Sequence, residues 1–279
     1  MTPSTPPPAL RSDENNRLSA RELILALVDS SSAATLSASY FIAAGALFAM
    51  DSGSIRVALA RLVKDAALRT AGRGLYQRGS RGGQLHSMVR HWASVEAQLI
   101  SWPGSWLGVS VGHLNRSNRT RVRGWERALR LLGFAAYEAD FWLRPANLRA
   151  SVAEIRDRMM ELGFPAEGLL MEISSLSPAE QWRPETLWPI SELERGYQHS
   201  VDQLRDSEAR LNTLDAEAAA RETLLIGRAV TRAILLDPLL PEQLINTTLR
   251  SQMIGAMRHY DQLGKTIWRD FYRQHGRIV

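Results

Sequence analysis

At 279 residues, 45% of them hydrophobic and 23% charged, the chain has material for two or three packed domains and is neither a disordered tail nor a fibrous repeat. It has no cysteine, which excludes disulfides, thiolate catalysis and Cys-ligated zinc or iron–sulfur sites. The net charge is only +5, yet residues 52–137 carry 14 Arg or Lys against Asp65, Glu96 and Glu126, so a basic, polyanion-facing region is joined to a more acidic body.

The first 16 residues, opening "MTPSTPPP", hold four prolines and no apolar periodicity, so residues 1–17 read as a disordered leader. Ser19 can cap a helix over "ARELILALV", with Leu23, Ile24, Leu27 and Val28 as its apolar stripe. A second helix, about Ser37 to Ala49, is small and apolar almost throughout, which suits burial between other elements. On a third helix from Ser52, the residues Ile55, Ala58, Leu59, Leu62 and Val63 share one side. Ser54, Val57, Ala60, Arg61 and Lys64 point the other way, with Arg56 at the flank.

That outward face suits a groove about 12 Å wide, where small residues permit close approach and cations or hydroxyls meet phosphates and base edges. "ALRT" and "LYQRG", joined by "AGRG", read as a hairpin with Arg73 at its tip and Arg78 in its second strand. This order of elements predicts a winged helix-turn-helix over 18–82, with Ser52, Ser54, Arg56, Val57, Ala60, Arg61, Lys64, Arg73 and Arg78 as candidate contacts to double-stranded DNA.

Residues 83–178 read as a connecting helix and loop followed by a ferredoxin-like α+β domain. Its strand candidates are "WLGVSVGHL", "FAAYEADFWLRP" and "GLLMEISSL"; its helices are "RSNRTRVRGWERALRLL", ended by Gly133, and Ser151 to Leu162. Arg116, Arg119, Arg121 and Arg123 crowd its first helix as candidates for DNA phosphates or for the phosphates of a coenzyme A-like effector, with a solvated face as the plain alternative. Trp102, Trp106, Trp125, Phe141 and Trp142 could line an acyl pocket or pack a core. Residues 179–279 read as a Pro- and Trp-bearing linker, in which Trp182 and Trp188 are anchors, and then a helical domain for dimerisation or effector binding. Its helices are expected at Ser191–Leu214, Ala216–Leu235 and about Thr248–Tyr272, broken by Asp237-Pro238 and Pro241.

An enzyme needs a reactive constellation, and the sequence offers none. His86 and His91 lie five apart, off the i, i+4 spacing of a helical metal pair; His113, His199, His259 and His275 are isolated, and neither Gly-x-Ser-x-Gly nor a phosphate loop occurs. No cofactor or metal is expected. The longest apolar runs, such as Tyr40 to Met50, are too short to cross a bilayer, so a soluble, cytoplasmic chain without a membrane partner is expected.

"SARELILALV", "GSIRVALARLV" and its hairpin, "GWERALRLLGF" leading to "FWLRP", "LWPISELERGY" and "LLDPLLPEQL" occur in this order over most of residues 19 to 245. In that set the chain resembles the PaaX-type transcriptional regulators. The resemblance implies a dimeric repressor of a catabolic operon with a winged helix, a ferredoxin-like domain similar to that of a CRISPR-adaptation nuclease, and a helical C-terminal domain. It also implies release from DNA by a small effector of the aryl-acetyl coenzyme A class. A nuclease of that type would hold its metal by a carboxylate near the end of the domain's first strand, where this chain has His113, Leu114 and Asn115. A metal-dependent nucleic-acid enzyme and a non-catalytic protein-interaction scaffold are the other readings.

Overall fold

The structure is a computed structural model that describes residues 18–31, 33–80, 88–89, 91–177 and 186–275; the expected leader, His86 and Trp182 lie outside the described residues. It divides at 81/82 and 266/267 into two compact units, the first taking in the N-terminal part with the C-terminal end of the chain.

The first unit opens with α1 (Ala20–Ser30), whose start is fixed by a reciprocal cap: Ser19 Oγ accepts from the Glu22 amide and the Glu22 carboxylate accepts from the Ser19 amide. A two-residue strand, β1 (Leu36–Ser37), follows, and Ser37 then caps α2 (Ala38–Ala46) by accepting from the Tyr40 amide. The sequence reading starts a helix at Ser37 and has no strand there, since two residues are too few to show a period. Next come α3 (Ser52–Lys64) and the antiparallel strands β2 (Leu68–Gly72) and β3 (Leu75–Arg78). The strand β1 pairs with β3, so the small sheet runs β1-β3-β2.

The second unit holds a 3-10 segment, Trp92–Gln98, and then β4 (Trp106–Ser110), α4 (Arg119–Leu131), β5 (Ala135–Glu138), β6 (Phe141–Pro145), α5 (Val152–Glu161) and β7 (Leu169–Ile173). Its antiparallel sheet runs β5-β6-β4-β7. The single strand expected over "FAAYEADFWLRP" is in fact two, β5 and β6, with a register shift between Ala136 and Glu138. The turn falls on Ala139-Asp140, with no Gly, Pro or Asn to mark it in the sequence. Strand alternation sends Trp106, Phe141 and Leu143 into one apolar cluster, and Leu107, Val109 and Trp142 into another. The helices α6 (Ile190–Leu211), α7 (Ala216–Leu235) and α8 (Thr247–His275) complete the chain.

The last two turns of α8 count with the first unit, where Trp268 and Phe271 are buried and their rings sit 6.4 and 6.1 Å from that of Tyr40. They complete a core made by Leu23, Ile24 and Leu27 of α1, Phe41 of α2, and Ile55, Leu59 and Leu62 of α3. The chain is thus a mixed helix-and-sheet protein, with two small antiparallel sheets among the described residues. No helix among the described residues is long and apolar enough to cross a membrane.

Candidate nucleic-acid interface

The helix α3 is held from both ends. Asp51 caps it, accepting from the Ser54 amide at 2.9 Å and from the Ser54 hydroxyl at 2.5 Å. These bonds, the hydroxyl's first, hold the Asp51 carboxyl below the usual carboxylate range. Arg21 of α1 pairs at 2.9 Å with Asp65, just past its C-terminal end. With Ile55, Leu59 and Leu62 buried, the opposite face is fixed in solvent: Ser52, Ser54, Arg56, Val57, Ala60, Arg61 and Lys64 are all exposed, Val57 to 51%.

The hairpin presents Arg73 at its tip, between Gly72 and Gly74, which take φ of +145° and +69°. Arg56, Arg61, Lys64 and Arg73 form no ion pair with a described residue, so their charge is available to an outside anion. Arg78 differs. Its guanidinium pairs with Asp29 and donates to the Val28 carbonyl at 3.3 Å, which ties β3 to the end of α1. Arg69, absent from the expected set, is exposed on β2 beside an open cleft of about 520 Å³ that also borders Val63, Thr70 and Arg78.

On α4 the four candidate arginines separate. Arg116, before the helix, pairs with Asp140 and lies 3.8 Å from Glu126; Arg121 lies 3.7 Å from Glu167. Arg119 and Arg123 are exposed and carry no ion pair to a described residue, and Arg127, part of the same arginine-crowded segment, continues their row. Arg130 sits 5.2 Å over the Trp142 ring.

The aromatic residues do not form one pocket. Trp102 and Trp106 meet edge to face at 4.8 Å, while Trp125 and Trp142 are buried in the other cluster. Trp188 is buried in the same cluster as Trp106. The histidines are also apart: His113 contacts the Glu167 carbonyl, His259 the Glu208 carboxylate, and His275 stacks on Phe271. Among the described residues no three or more His, Asp or Glu converge as metal ligands.

The burial of Arg144, Asp237 and Arg250 was not legible in the sequence, because nothing local marks it. Arg144 on β6 donates to the carbonyls of Leu132 and Pro145 and to Asn147 Oδ1, and burial lowers its pKa to about 9, so it stays charged at pH 7. Asn147 in turn donates to the Leu239 carbonyl at 2.7 Å. Buried Arg250 donates to the Leu240 carbonyl at 2.8 Å and lies 3.9 Å from Asp237, whose pKa burial pushes up. The proline-marked break is therefore a loop gripped by polar side chains.

No family model matches the chain, and no curated protein matches it. Among solved structures it is similar to the uncharacterized protein Rv0674 from Mycobacterium tuberculosis, at 20% identity and a TM-score of 0.62, over 92% of this chain and 99% of that one. At that identity the likeness speaks to the fold alone.

Proposed function

We propose that the protein is a DNA-binding transcriptional regulator whose first unit is a winged helix-turn-helix, with α3 as the recognition helix and the β2–β3 hairpin as the wing. The observation that carries this reading is the outward face of α3: small residues and hydroxyls, with Arg56, Arg61 and Lys64 among them, all exposed and without an ion pair to a described residue. Close approach to base edges needs the former, and phosphate attraction needs the latter. The order α1-β1-α2-α3-β2-β3, with β1 added to the hairpin, supports it.

In the second unit the order β-α-β-β-α-β, with the sheet arranged β5-β6-β4-β7, supports a ferredoxin-like domain. The PaaX-type resemblance adds a homodimeric repressor of a catabolic operon, released by an acyl- or aryl-coenzyme A thioester, acting in the cytoplasm.

Fluorescence anisotropy with the chain's own upstream region tests the reading. Tight, salt-sensitive binding is expected, weakened by Arg61→Ala and by Arg73→Ala. Binding that neither change alters removes α3 and the hairpin from the interface.

A further inference from the structure

We infer that the row Arg119–Arg123–Arg127 on α4 is a second contact for the phosphate backbone of duplex DNA, read without regard to sequence; this rests on the DNA-binding function proposed above and extends it to the second unit. The three residues stand at i, i+4 and i+8, so they form one ridge inclined to the helix axis that spans about 12 Å of rise at 1.5 Å per residue. All three are exposed, and none has an ion pair with a described residue.

The neighbours show that this is selective. Arg116, Arg121 and Arg130 each lie near a carboxylate, and Glu126, the one acidic residue of α4, lies 3.8 Å from both Arg116 and Arg130. The row is what remains without a carboxylate partner among the described residues.

Its placement works against the helix that carries it. The first turn of α4 has no acidic residue and instead begins with Arg119, at the end where the helix dipole repels cations. Like charges four residues apart repel as well. A bound row of phosphates would relieve both. The opposite face, with Trp125, Ala128 and Leu129 buried, holds the row rigidly on the sheet. Guanidinium groups suit this task, because their planar fork meets phosphate oxygens two at a time.

The full-length variant Arg119→Gln/Arg123→Gln/Arg127→Gln tests the inference by anisotropy over a salt series, on the chain's own upstream region and on a random duplex of equal length. Each phosphate contact contributes about 0.9 to the slope of log affinity against log salt, so the slope should fall by about 2–3 on both duplexes. The ratio of the two affinities should stay unchanged, and the thermal midpoint should not drop. The control Arg205→Gln/Arg221→Gln/Arg232→Gln removes three exposed cations from α6 and α7 and should leave the slope as it was. If the triple variant does not fold, Arg127→Gln alone should lower the slope by about 0.9.

An unchanged slope overturns the inference while leaving the α3 reading intact, and so does an equal drop in the control. Loss of coenzyme A binding in the variant with no change in the DNA slope assigns the row to a nucleotide ligand and overturns it too. A wild-type chain that binds no duplex overturns both proposals together.

Discussion

The helices α3 and α4 are both 13 residues long, basic and exposed on one side, but their charges stand in opposite relation to the helices that bear them. On α3 an aspartate caps the start and Arg61 and Lys64 lie in the last turn, where the dipole favours them. On α4 a neutral Asn118 caps the start and Arg119 and Arg121 follow at once, where the dipole opposes them. Helix stability alone thus accounts for Arg61 and Lys64, though not for Arg56 in the N-terminal half, and what marks α3 as a recognition face is the small residues and hydroxyls between its cations. On α4 the cations themselves are the mark, because folding does not account for them. One pattern suits readout and the other suits positioning on a backbone.

Core truncations give the largest effects and test whether both faces are held equally firmly. Leu59→Ala behind α3 is expected to cost about 2–5 kcal/mol, and Trp125→Ala behind α4 about 3–5 kcal/mol, because both side chains are almost wholly buried. Urea denaturation followed by circular dichroism should resolve the two units, with Leu59→Ala weakening the first and Trp125→Ala the second. If either change melts both units in one transition, the two faces belong to a single cooperative body and cannot be varied independently.

Those two buried positions were legible because each helix shows a clear apolar period: Ile55, Leu59 and Leu62 on α3, and Trp125 and Leu129 on α4. Both ends of α7, expected at Ala216 and Leu235 with a break at Asp237-Pro238, fall where the sequence put them. Elements set by long-range pairing were not legible. Strand β1 exists because Leu36 and Ser37 face Tyr76 and Leu75, some 40 residues later. The C-terminal turns of α8 join the first unit through Trp268 and Phe271, which as sequence look like any amphipathic helix end. The candidate site divided in the same way. Exposure followed from periodicity, whereas the pairing of Arg78 with Asp29, and of Arg116 with Asp140, depends on partners that only the fold brings near.

Single cations give the next effect. Arg61→Ala should cost about 1–3 kcal/mol of preference for the chain's own upstream region over a random duplex. Arg123→Ala should weaken both complexes alike and leave that preference untouched. Equal loss of preference in the two variants, measured by anisotropy at one salt concentration, would merge the two roles into one.

Charge reversal gives a smaller effect, but of opposite sign on the two helices. Lys64→Glu places an anion at the C-terminal end of α3 and should lower stability by about 0.3–1 kcal/mol. Arg119→Glu places one at the N-terminal end of α4 and should raise stability by a similar amount, about 0.3–1 kcal/mol, while weakening DNA binding. Thermal melts of the two variants decide it. A loss of stability in Arg119→Glu would mean that α4 does depend on its row for folding.

The smallest effect lies at the caps and is set by pH. The Asp51 carboxyl is held below its ordinary range by bonds from Ser54, so its stabilising contribution is complete above the unfolded value, near pH 4, and is lost as pH falls through the lowered folded value. Asn118 accepts from the Arg121 amide at 3.0 Å and has no charge to lose. Acidification should therefore loosen the first turn of α3 and leave that of α4 unchanged, which amide exchange at Ser54 and Arg121 would read directly. Asp51→Asn should keep a cap and remove the pH dependence at Ser54. If Ser54 keeps its acid transition in that variant, some other carboxylate governs the start of α3, and the contrast between a charged and a neutral cap is not what separates these two helices.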